Sequence, residues 1–308
     1  MDEQVLNFQQ KLLPAGVASA HLWAVLQALL VTLLWSSSYV LITIGLEDIP
    51  ALTFAGLRYV VAAAVLLPFF VYHGHHRRLL RLTRRELGIL LVLGLLLYAV
   101  TQGAQFAALQ YLPVATVSLV LSFTPAIVAL VAIPLLSERP SGRQWLWLGV
   151  LLLGCGLYFY PFDLQTAALL GLVIMVVGLF ANSLSSILGR WVNREQTLTP
   201  LGVTTLSMGT GSVLLLTTGV TVQGMPSLSL QNWVIVGWLA VVNTAFAFTL
   251  WNRTLQTLSA TESSVINNTM LVQVAVLGWV FLGETLNALD IFGLLLVMVG
   301  AMAVQFSN

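Results

Sequence analysis

Charge is what this chain has least of. Only 7% of its 308 residues are Asp, Glu, Lys or Arg while 58% are hydrophobic, against roughly 25% charged in a soluble globular domain. So few charges cannot cover the surface of a soluble fold of this size, and the bilayer must be the solvent for most of the chain. Lys and Arg number 12 and Asp and Glu 11, so there is no basic excess and no nucleic-acid partner is expected. The single cysteine, Cys155 in LLLGCGLYF, excludes an internal disulfide and any CxxC metal or redox site. HExxH, GxSxG and paired Asp at depth are all missing, so neither an intramembrane enzyme nor a cofactor or metal is expected. Asp, Glu, Lys and His are absent from the middle of every apolar run; His21, His73, His75 and His76 fall at ends or in loops. Proton-coupled carriers usually hold a titratable group near the site, and none is evident.

What is present is a succession of apolar runs of spanning length, about 17–25 residues each. They cover Leu22–Ile44, Pro50–Tyr72, Glu86–Leu109, Val114–Leu136, Gln144–Tyr160, Thr166–Val192, Pro200–Val222, Asn232–Leu255, Ala260–Leu282 and Ala288–Phe306. The expected fold is an all-α polytopic membrane protein with ten transmembrane helices. Residues 1–21 carry Asp2, Glu3 and Lys11 without a basic region ahead of a short apolar core, and read as a cytoplasmic lead-in rather than a cleavable signal. Basic residues set the orientation. With the N-terminus in the cytoplasm, the inner loops hold Arg77, Arg78, Arg81, Arg84, Arg85, Arg139, Arg143, Arg190, Arg194 and Arg253. The outer loops carry Glu47, Asp48, Asp163 and Glu284 and no Lys or Arg. Both termini are then cytoplasmic, in a multi-pass protein of the inner membrane.

Leu109–Glu138, LQYLPVATVSLVLSFTPAIVALVAIPLLSE, recurs 146 residues later as Leu255–Glu284, LQTLSATESSVINNTMLVQVAVLGWVFLGE. Both open on LQxL and close on a glutamate in the same register. They cover the fourth and ninth spans, and a spacing of five spans means opposite crossing directions. The chain divides into two inverted five-helix repeats, 22–160 and 166–306, related by a pseudo-two-fold axis in the membrane plane. Glu138 and Glu284 read as caps of their own helices.

Polar side chains at mid-depth usually face the bundle interior or a wet cavity. The candidate substrate-binding set is Trp35 and Tyr39 in the first span, Tyr98 and Gln102 in the third, Ser122 in the fourth and Asn182 in the sixth. The eighth adds Asn243, Thr244 and Trp251, and the ninth Asn268. The repeat offset maps Ser36 onto Asn182, Tyr98 onto Thr244 and Ser122 onto Asn268, as a site on the repeat axis requires. For Ser and Thr the competing role is a hydrogen bond back to the helix or to a neighbour. Arg58, the one basic residue away from the ends of a span, is expected to snorkel outward or form an interhelical clamp to a carbonyl, Glu47 or Asp48; a substrate carboxylate is its alternative partner. Glu262 is expected to pair with Arg253. An aromatic-and-amide cavity suits a small amphiphilic, neutral, zwitterionic or mono-cationic molecule, and aromatic faces can hold an alkylammonium. The expected partners are that small-molecule substrate and the lipid bilayer, for a monomer or homodimer.

Leu34–Trp35–Ser36–Ser37–Ser38–Tyr39, Gly45–Leu46, Pro50 and Leu57–Arg58–Tyr59 resemble the opening pattern of the EamA family in the drug/metabolite transporter superfamily. The half-ends LLSERPSGRQWLWLGVLLLGCGLY and FLGETLNALDIFGLLLVMVGAMAV resemble that family's E-x-x…G-x-x-L-x-x-G segments. Departures are Ser36, where Gly is commoner, and Leu271, the counterpart of Pro125, where the family usually repeats the proline. The resemblance implies ten helices and a central cavity bounded by helices one, three, four, six, eight and nine. It also implies export or exchange of small metabolites, amino acids or related compounds.

Overall fold

Every regular element among the described residues is a helix. In lipid each backbone N–H and C=O must be satisfied within its own segment, and a helix does that. The structure is a computed structural model, and it describes residues 15–73, 82–124, 126–128, 141–160, 166–195, 199–254, 257–258 and 266–306. In chain order the helices are α1 (Ala15–Gly45), α2 (Ala51–Tyr72), α3 (Arg84–Gly94, Leu95–Thr101 and Gln102–Ala108), α4 (Val114–Leu121) and α5 (Gly142–Tyr158). They continue as α6 (Thr166–Glu195), α7 (Pro200–Gln223), α8 (Leu230–Ala240, Val241–Phe246 and Ala247–Thr254), α9 (Met270–Leu282) and α10 (Ala288–Phe306).

Six stretches are long and apolar enough to cross a membrane: Ala20–Gly45, Ala51–Tyr72, Arg84–Ala108, Thr166–Gly189, Leu201–Gln223 and Leu230–Trp251. Val114–Val128, Ile266–Leu282 and Ala288–Ala303 are shorter apolar helices. Leu152, Val173, Trp279 and Phe281 stand exposed on the outer faces, an apolar surface that lipid covers. This is a multi-pass membrane protein.

The helix starts are written in short-range chemistry. Thr83 with Glu86 and Ser141 with Gln144 form reciprocal capping boxes at α3 and α5. The hydroxyls of Thr199 and Ser229 accept the Gly202 and Asn232 N–H groups ahead of α7 and α8. Asn287 and Asp290 exchange hydrogen bonds at the head of α10.

Small residues let the helices close up, as packing between apolar partners in lipid requires. α5 and α10 cross where a Cβ on Gly154 would stand 2.7 Å from the Gly293 carbonyl, and a Cβ on Gly293 2.7 Å from that of Gly154. α2 and α7 are similarly close at Gly56 and Gly219. The remaining main pairings are α1 with α8 and α9, α6 with α3 and α4, α7 with α3, α2 with α3 and α8, and α4 with α9.

Two expectations are corrected here. Glu284 does not cap its own helix: α9 ends on Gly283 at φ 69, and Glu284 reaches across to α4, where its Oε1 accepts the Val114 N–H at 2.7 Å. Arg58 neither snorkels nor clamps an acidic loop residue. It is 3% exposed and its Nε donates to Thr244 Oγ1 at 3.0 Å, while Asp48 instead accepts from Asn232 Nδ2. Pro125, Glu138 and Glu262 lie outside the described residues, as do Arg77, Arg78, Arg81, Arg139 and Asp163.

Candidate functional site

Four helices depart from regular α-geometry at mid-length, in two matched pairs. α3 turns π-helical over Leu95–Thr101 and α8 over Val241–Phe246, segments that begin 146 residues apart. α4 stops at a turn over Ser122–Phe123, and α9 begins after a turn at Thr269; Phe123 and Thr269 are again 146 residues apart. A π-helical turn widens the i→i−4 ladder, and hydroxyls take up the displaced carbonyls. Thr101 Oγ1 donates to Leu96 O and Thr244 Oγ1 to Leu239 O, each five residues back at 2.8 Å. Such turns are rare and gather at functional sites.

On the α8 segment, Asn243 is wholly buried and reaches α1. Its Nδ2 donates to the Leu34 carbonyl and, at 3.1 Å, to Ser37 Oγ. A carbonyl can only accept, so the amide orientation is set and Oδ1 points elsewhere, with no hydrogen-bond partner. The same turn of α1 carries Trp35. Its ring packs tilted against Phe248 at 5.1 Å and Trp251 at 5.2 Å between centroids, and its Nε1–H is buried without an acceptor. Buried polar atoms are nearly always hydrogen-bonded. An orphan acceptor and an orphan donor therefore stand near one aromatic cluster, with hydrogen-bonding capacity that the protein itself leaves unused.

The next residue, Thr244, accepts from Arg58 on α2. The guanidinium lies 5.2 Å from the Tyr59 ring centroid and 5.9 Å from that of Phe106, and the Tyr59 ring is 5.5 Å from Tyr98. Tyr39 and Tyr59 are the titratable groups facing Arg58. α1, α2, α3 and α8 thus converge: Trp35 meets Trp251, Asn243 bonds to the residues flanking Trp35 on α1, and Thr244 is linked to Tyr98 through Arg58 and Tyr59, with Tyr39 facing Arg58.

The other expected site residues sit differently. Asn182 on α6 donates to Thr124 Oγ1 at 2.9 Å, joining α6 to the stretch after the α4 turn. Ser122 Oγ is spent on the Leu119 carbonyl at 2.6 Å. Gln102 is half-buried just beyond the α3 π-helical segment. Asn268 leaves Nδ2 buried without a partner, the second orphan, with Asn243, beside a helix interruption. Gln273 is fully engaged: it donates to Thr32 and Thr269 and accepts from Ser36, pinning α1 to α9.

Sequence reasoning missed Phe248, whose signal was its position three residues before Trp251 on one helix face. It also missed the bond from Arg58 to Thr244, which no local spacing announces. Among the described residues no group of His, Cys, Asp and Glu could hold a metal ion.

Comparison with known proteins agrees over nearly the whole chain. The chain is 23% identical over 279 residues to the uncharacterized transporter YoaV of Bacillus subtilis (strain 168), spanning 88% of this chain and 92% of that one. It is 25% identical over 280 residues to the uncharacterized inner membrane transporter YedA of Escherichia coli (strain K12), spanning 87% and 88%. A solved crystal structure matches 91% of this chain and 96% of its own at TM-score 0.64 and 18% identity, which shows the fold. The model of the EamA-like transporter family matches twice, over residues 22–160 and 169–306, and the protein belongs to that family.

Proposed function

We propose that the protein is a secondary transporter that moves small amphiphilic metabolites, amino acids or related compounds, out across the inner membrane by alternating access. Ten spans in two inverted five-helix halves, with both termini cytoplasmic, would carry it as a monomer or homodimer. The observation that supports this most is the matched pair of helix interruptions. In transporters built from inverted repeats, substrate sites lie where discontinuous helices of the two halves meet. The packing has the same symmetry: α1 with α8 and α9 mirrors α6 with α3 and α4 on shifting each partner by five helices.

The substrate site we propose comprises Trp35, Tyr39, Tyr98, Asn243, Thr244 and Trp251, with Gln102, Ser122, Asn182 and Asn268 lining the path. A second reading, transport of quaternary amines or lysolipids, is favoured by the aromatic trio Trp35, Phe248 and Trp251, whose faces suit an alkylammonium.

Proteoliposome counterflow tests both readings, using labelled amino acids, choline-type amines and lysolipids with and without a pH gradient. We expect counterflow of one class, no stimulation by the gradient, and loss on Trp35→Ala or Asn243→Ala. Counterflow untouched by both substitutions would remove the site, and stimulation by a proton gradient would remove the uncoupled mechanism.

A further inference from the structure

Arg58 brings into the bundle a charge that the described residues leave without a counter-charge. It stands seven residues into α2, about 10 Å along the helix. Only its Nε has a hydrogen-bond acceptor there, Thr244. Among the described residues neither Nη group has an acceptor and no carboxylate pairs with it; the Tyr59 and Phe106 rings lie over it. Buried guanidinium groups are normally paired, because an unpaired charge away from water is costly. Aromatic faces soften that cost without neutralising it.

The holding geometry is specific. Thr244 anchors Nε while its own hydroxyl is committed to Leu239 O, which fixes the guanidinium and leaves the Nη end of the fork to a ligand. That end offers two parallel N–H groups, the match for a carboxylate. Asn243, the preceding residue, supplies the orphan acceptor Oδ1. Consecutive helical side chains diverge, so the α8 π-helical segment turns Thr244 to Arg58 on α2 and Asn243 to α1, setting an anion receptor and a donor receptor on neighbouring faces of one turn.

We propose that Arg58 is the anion-binding residue of the transport site, and that the substrate class is a small zwitterion or monocarboxylate. Its carboxylate sits on the Arg58 Nη groups, and its donor or cationic nitrogen on Asn243 Oδ1 against the Trp35 and Trp251 rings. This rests on the transport reading above and narrows it, excluding monocations such as choline.

Two measurements on the full-length protein test it. The first needs no substrate: thermal unfolding of Arg58→Met in detergent. An unneutralised receptor cation gives a variant as stable as wild type or more so, whereas a fall of about 5 °C or more makes Arg58 a structural clamp and overturns the proposal. The second is counterflow with matched pairs, L-leucine and L-leucinamide, L-phenylalanine and L-phenylalaninamide, glycine betaine and choline. Wild type should favour the carboxylate members by about tenfold to a hundredfold. Arg58→Gln should abolish the preference and Arg58→Lys retain part of it. A preference for the amides or choline, or one unchanged in Arg58→Gln, overturns the proposal. If Trp35→Ala and Asn243→Ala lose counterflow while Arg58→Gln keeps its selectivity, the transport site stands and the Arg58 assignment falls.

Discussion

Val114 at the head of α4 gives its N–H to Glu284, a residue of the other family repeat, 170 positions away. The first N–H groups of a helix have no intrahelical partner, and the positive end of the helix dipole favours a carboxylate beside them. Gly278 leaves the carboxylate room, since a Cβ there would stand 2.7 Å from Glu284 Oε2. Glu284→Ala should therefore destabilise the protein by about 1 kcal/mol, the usual worth of a helix cap. Glu284→Gln keeps an acceptor and should stay near wild type in thermal unfolding at acid pH.

The same carboxylate should give stability a pH slope. Burial pushes the Glu284 carboxyl up from its ordinary value, partly offset by the Val114 and Ala115 N–H groups. The folded chain thus holds this proton to higher pH than the unfolded chain does. The linked stability is fully present below the ordinary glutamate range and lost as pH rises through the raised value. Unfolding temperatures of wild type and Glu284→Gln, measured from about pH 4 to 8, should converge at the acid end. A wild-type slope identical to that of Glu284→Gln would contradict this.

Asn243 and Ser37 offer a measurable link between the two repeats. Their hydrogen bond is 3.1 Å long, and such bonds between membrane helices average about 0.6 kcal/mol. A double-mutant cycle on Ser37→Ala and Asn243→Ala should return a coupling of that size. Asn243→Ala alone should cost more, about 1–2 kcal/mol, because the bond to the Leu34 carbonyl goes with it.

The membrane class and the doubling of the family unit were legible because each rests on a summed property of many residues, hydropathy or repetition at one offset. Trp35, Asn243 and Trp251 stood out in the sequence because large polar-tipped side chains are costly in lipid, and the structure gathers Trp35 with Trp251 and ties Asn243 to the same turn of α1. The π-helical turns were not legible. LLLYAVT and VVNTAF are ordinary apolar sequence, and nothing in their local spacing announces a widened turn. Glu284 was read as a local cap because its 170-residue reach to Val114 leaves no trace in local spacing. Ser122 was selected for its depth, yet its hydroxyl satisfies its own helix.

If the π-helical turn of α8 is what aims Asn243 and Thr244 inward, removing it should spare the fold and harm transport. A π-helical turn amounts to one surplus residue in an α-helix, so deleting one residue restores the regular ladder with both flanks nearly in place. Val241 is the residue to delete, since it is 44% exposed on the lipid side and packs little. We expect helicity by circular dichroism to be unchanged and counterflow to fall at least about tenfold, as misplacement of positioning groups produces. Full activity in the deletion would show that the widened turn has no part in the site.

Trp35 separates ring packing from hydrogen bonding. Its ring is held by Phe248 and Trp251, but its buried Nε1–H meets no acceptor. Trp35→Phe keeps an aromatic face and removes only that donor. A donor that the protein itself leaves unused contributes nothing to the fold, so unfolding temperature should shift little beyond the loss of ring area. Ligand affinity should fall, since an acceptor placed against Nε1–H loses about 0.5–1.5 kcal/mol, or roughly a factor of two to ten. Trp35→Ala should lose stability as well, because the cavity beside Phe248 and Trp251 adds its own cost of about 3–5 kcal/mol before relaxation. Intrinsic fluorescence titration of the two variants, with matched unfolding curves, distinguishes the effects. Equal ligand affinity in Trp35→Phe and wild type would assign the residue to packing alone.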